Sequence, residues 1–251
     1  FSTNSYSKSL LIGNVFNENE YFNDENPSTF LEESRSPERE NFIFFSSLGV
    51  EYYIKEKTSL ILSGFIRDRS GDDYTKNTLK RFDENKVLID QSQLIELETD
   101  KDDAHQISLN FDSEIDQEGH KFTAVFQYEE NKEDEKADID NIFKNRDEKV
   151  NQLESEKRTL LQADYVLPLD KNTQFEFGYR GNFNNHETDY QVFQIQNGGF
   201  AKNTDLSNVL IYKEHINALY TQYGKKIDAF SFLIGLRVED SKIIVDQRNI
   251  N

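Results

Sequence analysis

Cysteine, methionine and tryptophan are all missing from this 251-residue chain, and proline occurs only three times. The lack of cysteine excludes disulfides, thiolate nucleophiles and thiolate metal sites together. No apolar run reaches the roughly 18 residues that a transmembrane helix needs. The chain does not start with methionine, so a processed or excised portion of a longer polypeptide is expected; the lack of a signal peptide at Phe1 then carries no information. Basic charge is scarce: 29 Lys and Arg stand against 47 Asp and Glu, giving a net charge of -18 and a pI near 4.6. Nucleic-acid binding by phosphate neutralisation is excluded on that balance.

Sites for chemistry are equally scarce. His105, His120, His186 and His215 are far apart and lack the spacing of a zinc site. Asp100, Asp102 and Asp103 resemble the start of a calcium loop, but the glycine and glutamate such a loop requires further on are missing. No phosphate-cradling glycine loop, nucleophile elbow or basic aromatic patch is present. Acidic stretches could hold divalent cations or basic ligands, but solvation of surface loops accounts for them. No catalytic residue, metal, cofactor or enzymatic activity is expected.

What remains is alternation. Hydrophobic residues make up 35% of the chain and mean hydropathy is -0.79, yet there are 20 Phe and 12 Tyr. Low hydropathy alone would suit a disordered chain; the aromatics argue for a fold with one wet face. Four times, a run of alternating apolar and polar residues meets a polar turn and a second such run follows, with turns near Glu56, Glu118, Asp170 and Lys226. The hairpins are expected at about 41–69, 105–130, 158–183 and 215–245. Residues 1–40 are expected mostly as loop, with room for one strand at 8–16. Residues 70–104 are expected as a long polar loop, and the loosely spaced Ile139, Ile142, Phe143, Val150 and Leu153 leave room for a short surface helix within 130–156.

The predicted fold is therefore all-β: an antiparallel up-and-down meander of about eight long strands, with short turns on one side and long loops on the other, forming residues 41–251 of a transmembrane β-barrel segment. About ten residues per strand, at roughly 3.3 Å each and tilted about 40°, span the apolar band of such a barrel, about 25 Å high. Aromatics cluster at strand ends (Phe42, Phe44, Tyr52, Tyr53, Tyr128, Phe183, Tyr220, Tyr223), where lipid chains give way to headgroups. The expected lipid-facing residues are Leu109, Phe111, Phe122, Phe126, Tyr165, Phe175, Phe177, Ala218, Phe232, Ile234 and Leu236. The expected lumen-facing residues are Asn110, Gln127, Asp164, Glu176, Arg180, Asn217, Arg237 and Glu239. The ligand-binding residues are not legible. A soluble β-sandwich also alternates, and it stands as the competing fold.

The third and fourth hairpins carry a resemblance. Ala163, Asp164, Tyr165, Pro168 and Leu169, then Phe175, Gly178, Tyr179 and Arg180, are followed by Tyr212, Glu214, Ile216, Ala218 and Tyr220, and by Phe232, Gly235, Leu236, Arg237 and Glu239. This segment, about residues 158–240, resembles the β-barrel of TonB-dependent outer-membrane receptors; the earlier hairpins match by pattern only. The resemblance implies a bacterial outer-membrane location, a barrel of about 22 strands, a plug, and a TonB-type energy-transducing partner. It also implies outer-membrane lipid around the barrel and capture of a siderophore, oligosaccharide or similar ligand, with a surface lipoprotein as a further partner. No plug or partner-binding segment is visible in this sequence, and no shared catalytic residue is carried over. Two other functions fit the same strands: a self-contained eight-stranded outer-membrane barrel with an anchoring or binding role, and a secreted soluble β-rich binding module.

Overall fold

A computed structural model describes residues 1–23, 26–144 and 146–249. The elements in chain order are β1 (Ser2–Ile12), β2 (Val15–Asn23), β3 (Asn26–Lys55), β4 (Thr58–Phe82), β5 (Leu88–Glu114), β6 (Lys121–Asn141), β7 (Glu148–Asp170), β8 (Thr173–Gln196), β9 (Gly199–Lys202), β10 (Asn208–Ile227) and β11 (Phe230–Asn249). All belong to one antiparallel sheet in the order β1-β3-β4-β5-β6-β7-β8-β10-β11, with β2 on β3 and β9 on β8. The meander is the expected one, with more strands.

Two of the extra strands arise from interruptions. β1 and β2 run along the same side of β3, and the break between them faces Pro37. The Pro37 carbonyl accepts the Gly13 N–H at 3.0 Å. Because a residue's N–H and C=O point to the same side of an antiparallel strand, the donor that proline lacks is missing from the ladder at that break. β9 and β10 likewise share one side of β8. There the Ser207 hydroxyl, buried, accepts the Val192 N–H at 3.0 Å and donates to the Asn203 carbonyl at 2.7 Å, so the ladder is bridged across the gap.

The long polar connections need correcting. Residues 70–82 and 88–104 are not a loop but the paired outer halves of β4 and β5, closed by a turn in which the Asp83 side chain accepts the Asn85 and Val87 N–H groups. The described residues of 130–156 hold no helix; they continue β6 and begin β7, in register from Glu130–Lys157 to Ile139–Glu148. Residues 1–40, expected mostly as loop, form β1, β2 and the start of β3, while residues 24 and 25 of that stretch lie outside the described residues. Turns are short at both ends, and the asymmetry lies in how far the strands overhang. β3 runs for 30 residues and β4 for 25. An apolar band needs only about ten of these.

Register sets the faces, because direct partners in an antiparallel pair share a side. Leu109 lies opposite Leu62 and Phe126; Phe111 opposite Leu60; Phe122 opposite Tyr165, which faces Phe177. Phe175 faces Tyr223, Tyr223 faces Ile234, Thr221 faces Leu236 and Lys225 faces Phe232. These residues form one apolar face. Asn110, Gln127, Asp164, Glu176, Arg180, Arg237 and Glu239 lie on the other, polar face. Two residues of β10 are exchanged relative to the sequence assignment. Ala218 lies on the polar face between Arg180 and Glu239, 1% exposed, while Asn217 lies on the apolar face between Gly181 and Asp240. β10 carries apolar residues on both sides (Ile216 and Ala218, Leu219 and Tyr223), so its alternation is ambiguous. The pairing of Ile227 with Phe230 at the turn decides it.

The sheet is a single layer. Among the described residues the buried hydrophobics are the small ones Ala104, Ala137, Val192 and Ala218, whereas Leu219, Ile234, Leu236 and Val238 are about two-thirds exposed. Among the described residues no second sheet covers the apolar face, as a sandwich would require.

The apolar block crosses the strands obliquely. Its centre on β3, at Ser47 between Phe42 and Tyr52, traces through direct partners (Phe65, Gln106, Glu129, Arg158, Asn184, Glu214) to Ile243 on β11. The block on β11, Phe230 to Val238, centres instead on Ile234. A drift of about nine residues over seven strand steps, at roughly 3.3 Å per residue and 4.8 Å per strand, means strands tilted about 40° to the band. Barrel strands tilt by about that angle. The corrected faces on β10 can be tested directly. Ala218→Leu, overpacking the polar face, should cost about 1–3 kcal/mol, and Asn217→Leu less, measured by denaturant unfolding of the membrane-inserted protein. The opposite order would reinstate the sequence assignment.

Candidate functional site

The polar face near the short-overhang end is the most elaborated surface of the molecule. Asp164, Gly178, Tyr220 and Arg237 are successive direct partners across β7, β8, β10 and β11. Tyr220 lies flat over Gly178, where a Cβ would stand 2.5 Å from its ring, so glycine is what lets the phenol cross the strand. Its hydroxyl donates to Asp164 Oδ1, and Gln162 Nε2 donates to Oδ2 of the same carboxylate at 2.7 Å. On the other side the Arg237 guanidinium packs 5.8 Å from the Tyr220 ring centroid and holds Glu239 through Nε and Nη2 at 3.1 and 2.7 Å. Glu176, one row nearer the turn, accepts from Gln174 at 2.5 Å and from Gln222. The result is a wall of carboxylates, amides and guanidinium groups already engaged with one another. Such a wall offers water and solutes a fixed polar lining.

Further along the same face, in the overhang, charges alternate across strands. Arg39 pairs with Asp73 at 3.1 Å, Arg69 with Asp100 at 2.8 Å, and Arg67 Nη2 spans both oxygens of Asp102 at 2.9 Å. Two of the aspartates that hint at a calcium loop are therefore ion-pair partners on one face. Asp103 lies on the other, opposite Asp68 and Lys132. Glu98, Glu133 and Glu135 face the same cluster. Burial is the main cause that raises each carboxyl above its usual range, and neighbouring carboxylates add to it: Glu135 for Glu98, Glu154 for Glu133, Asp100 for Glu135. Sequence reasoning missed this cluster because its members come from four strands, β3 to β6, and all but Arg67 and Arg69 fall in stretches that read as loop.

The turn between β5 and β6 holds a second grouping that spacing of histidines alone does not reveal. Asp116, Glu118 and His120 bring their ligand atoms within 4.8 Å of one another, an i, i+2, i+4 alternation. Asp116 Oδ1 already accepts the Glu118 and His120 N–H groups, and His120 Nδ1 lies 2.9 Å from Tyr165 Oη. His105, His186 and His215 stand on separate strands, so the structure does not gather the four histidines.

Raised carboxyls bind protons in the folded state that the unfolded chain would release, so their contribution is fully present below the unfolded pKa and is lost as pH rises through the folded one. Amide-exchange protection of residues 94–104 and 131–141, corrected for intrinsic rates, should therefore increase as pH falls from neutral to about 5. Glu133→Gln with Glu135→Gln should raise protection at neutral pH and flatten the profile.

Comparison with known proteins bears on the whole sheet. The model of the outer membrane protein beta-barrel family matches residues 113–251. No curated protein sequence matches. Among solved structures, the chain is similar to the ferric yersiniabactin uptake receptor FyuA of Yersinia pestis, at 10% identity and a TM-score of 0.35, with 97% of this chain and 60% of that one covered. It is also similar to the FrpB iron transporter (F3-3 variant) of Neisseria meningitidis, at 7% identity and a TM-score of 0.14, with 96% and 62% covered. The chain thus spans about three-fifths of either structure's length. The family match extends over more than half of the chain and coincides with a single-layer, obliquely banded antiparallel sheet: the chain belongs to the outer membrane protein beta-barrel family, and its place is the bacterial outer membrane.

Proposed function

We propose that this chain is part of the barrel wall of a TonB-dependent receptor that imports a siderophore, oligosaccharide or similar ligand across the outer membrane. The observation that carries it is the width of the sheet. Nine strand positions lie side by side, with β1 at one end and β11 at the other, and these two do not pair. Barrels of about eight strands are filled by their own side chains, whereas those of about 16–22 strands enclose a channel or a plugged lumen. A wall still open at nine strands, with charged and amide side chains along one face, suits the wide class. The apolar face then meets lipid, the Asp164–Tyr220–Arg237 wall lines the lumen, and the overhang projects beyond the bilayer to meet the ligand. Such a protein transports and catalyses nothing, and it needs a TonB-type inner-membrane partner for energy. The residue-level resemblance over about 158–240 supports the same assignment.

The self-contained eight-stranded barrel is the second possibility, and growth separates the two. In the source bacterium, loss of the whole protein and loss of the energy-transducing partner should abolish growth on the same member of a panel of iron chelates and oligosaccharides. Envelope fragility without any nutrient-specific defect would point to the anchoring barrel. The orientation of the faces has its own test. Leu109→Arg or Leu236→Arg should cost about 2–4 kcal/mol of membrane-protein stability if the site lies near mid-bilayer, and Asn110→Ala or Arg237→Ala far less. Equal costs would mean that the apolar face does not meet lipid.

A further inference from the structure

Cations cluster on the apolar face at the edge of its band, where the strands leave it for the overhang. Lys213 lies opposite Asn185, which lies opposite Lys157; His215 lies opposite Lys242 and Phe183. The side chains of Lys157, Lys213, His215 and Lys242 therefore occupy two adjacent rows across β7, β8, β10 and β11, all exposed. The His215 ring is held edge-on to Phe183, centroids 5.6 Å apart. Among the described residues, Lys213 and Lys242 have no carboxylate within ion-pair distance, and the nearest to Lys157 is Glu130 at 3.9 Å, already 3.1 Å from Lys132. The acidic groups nearby on this face are Asp240, one row turnward of Lys242; Glu187 and Asp246, together in the row beyond Asn185, with Asp246 paired to Arg248; and Glu130, opposite Lys157. In a chain of net charge -18, three lysines and a histidine on two adjacent rows, with Lys213 and Lys242 outside any ion pair, form a local concentration of basic groups.

Directly turnward of these rows the same face is grooved. A depression of about 480 Å³ runs between Tyr179, Phe177, Leu219, Thr221, Leu236 and Val238, with an almost entirely apolar surface. Its mouth begins at Leu219, four residues along β10 from His215, or about 13 Å. Asn217, between them, is occupied in accepting the Tyr179 hydroxyl at 2.8 Å. Cationic groups at headgroup depth with an apolar trough leading away toward mid-bilayer match one chemistry: a phosphorylated head attached to acyl chains. We propose that Lys157, Lys213, His215 and Lys242 bind the phosphate of an anionic membrane lipid whose chains lie in the groove below. The site is on the outer surface of the wall, separate from the polar face, and it rests on the apolar face meeting lipid but not on any import activity.

The full polypeptide, reconstituted in phosphatidylcholine bilayers, can be tested with spin-labelled phosphatidic acid and spin-labelled phosphatidylcholine, reading the motionally restricted fraction of each. The native protein should restrict the phosphatidic acid label at least about fivefold more strongly than the phosphatidylcholine label, the size expected for even one basic group near an anionic headgroup. K213Q/K242Q should bring the ratio close to one, while K225Q, at the turn end of the same face, leaves it unchanged. Restriction of the phosphatidylcholine label should be the same in all three proteins, which shows that lipid still covers the apolar face. An unchanged ratio in K213Q/K242Q, an equal fall in K225Q, or loss of the preference when excess inorganic phosphate is added would each overturn the lipid site. If neither label is restricted by the native protein, the apolar face does not meet lipid, and that outcome overturns the orientation as well.

Discussion

The backbone ladder holds this molecule together, because the described residues form no packed interior to do so. Its buried hydrophobics are small and scattered, and its large ones lie open on one face. Every strand is fixed through hydrogen bonds to its neighbours, and each side chain's surroundings follow from which partner row it occupies. A slip of one residue would exchange the two faces throughout a strand. The turns guard against that slip. Asp170 accepts the Asn172 N–H at 2.7 Å, Asp116 caps the turn after β5, and Asn197–Gly198 adopts positive φ at both positions (54° and 85°), the backbone of a tight two-residue hairpin.

Once rows are fixed, the environment divides them. Within the band, one face is Leu, Phe, Ile and Val while the other is a connected polar network. Beyond it, both faces are mainly charged or polar, with Tyr74, Leu97 and Leu153 as scattered exposed apolar exceptions. Overhanging strands stay paired in water because a backbone hydrogen bond is still worth about 1 kcal/mol there, and because opposite charges meet across the ladder, as in Arg67–Asp102 and Arg69–Asp100. Each such pair contributes little alone. Their regularity shows instead that the overhang is a designed sheet surface, with acidic groups crowded where Glu98, Glu133 and Glu135 converge.

That division explains what the sequence discloses. Alternation is visible only where the two faces meet different solvents, so Ile107, Leu109 and Phe111, alternating with Ser108 and Asn110, declare a strand. Asp100 to Asp103, equally extended, do not. Both faces of the overhang meet water, the contrast vanishes, and ordered hairpin looks like solvated loop. On β10 the opposite problem arises: apolar residues occur on both faces because Ala218 fills a narrow gap between Arg180 and Glu239 in the polar wall, and only the turn register assigns it. The Tyr220–Gly178 crossing was hidden for a third reason. Its partners are distant in sequence and become neighbours only when the strands are set side by side.

The last strand bears on how wide the finished wall must be. Soluble sheets blunt their edges with short strands, prolines, bulges or inward charges. β11 is neither short, bulged nor broken by proline: it runs 20 residues in unbroken register with β10 and presents Phe230, Phe232, Ile234, Leu236 and Val238 on the apolar face, while its Arg237 and Glu239 stand in the polar wall. Among the described residues, no strand pairs with its other side. In hydrocarbon each unpaired group costs several kcal/mol, so the apolar rows of β11 suit a strand paired on both sides. The oblique band says the same of the shape. A sheet whose apolar block descends by a little more than one residue per strand is flat only on paper; in a bilayer of constant thickness it must wind, and winding carried far enough brings the two edges to a common closure.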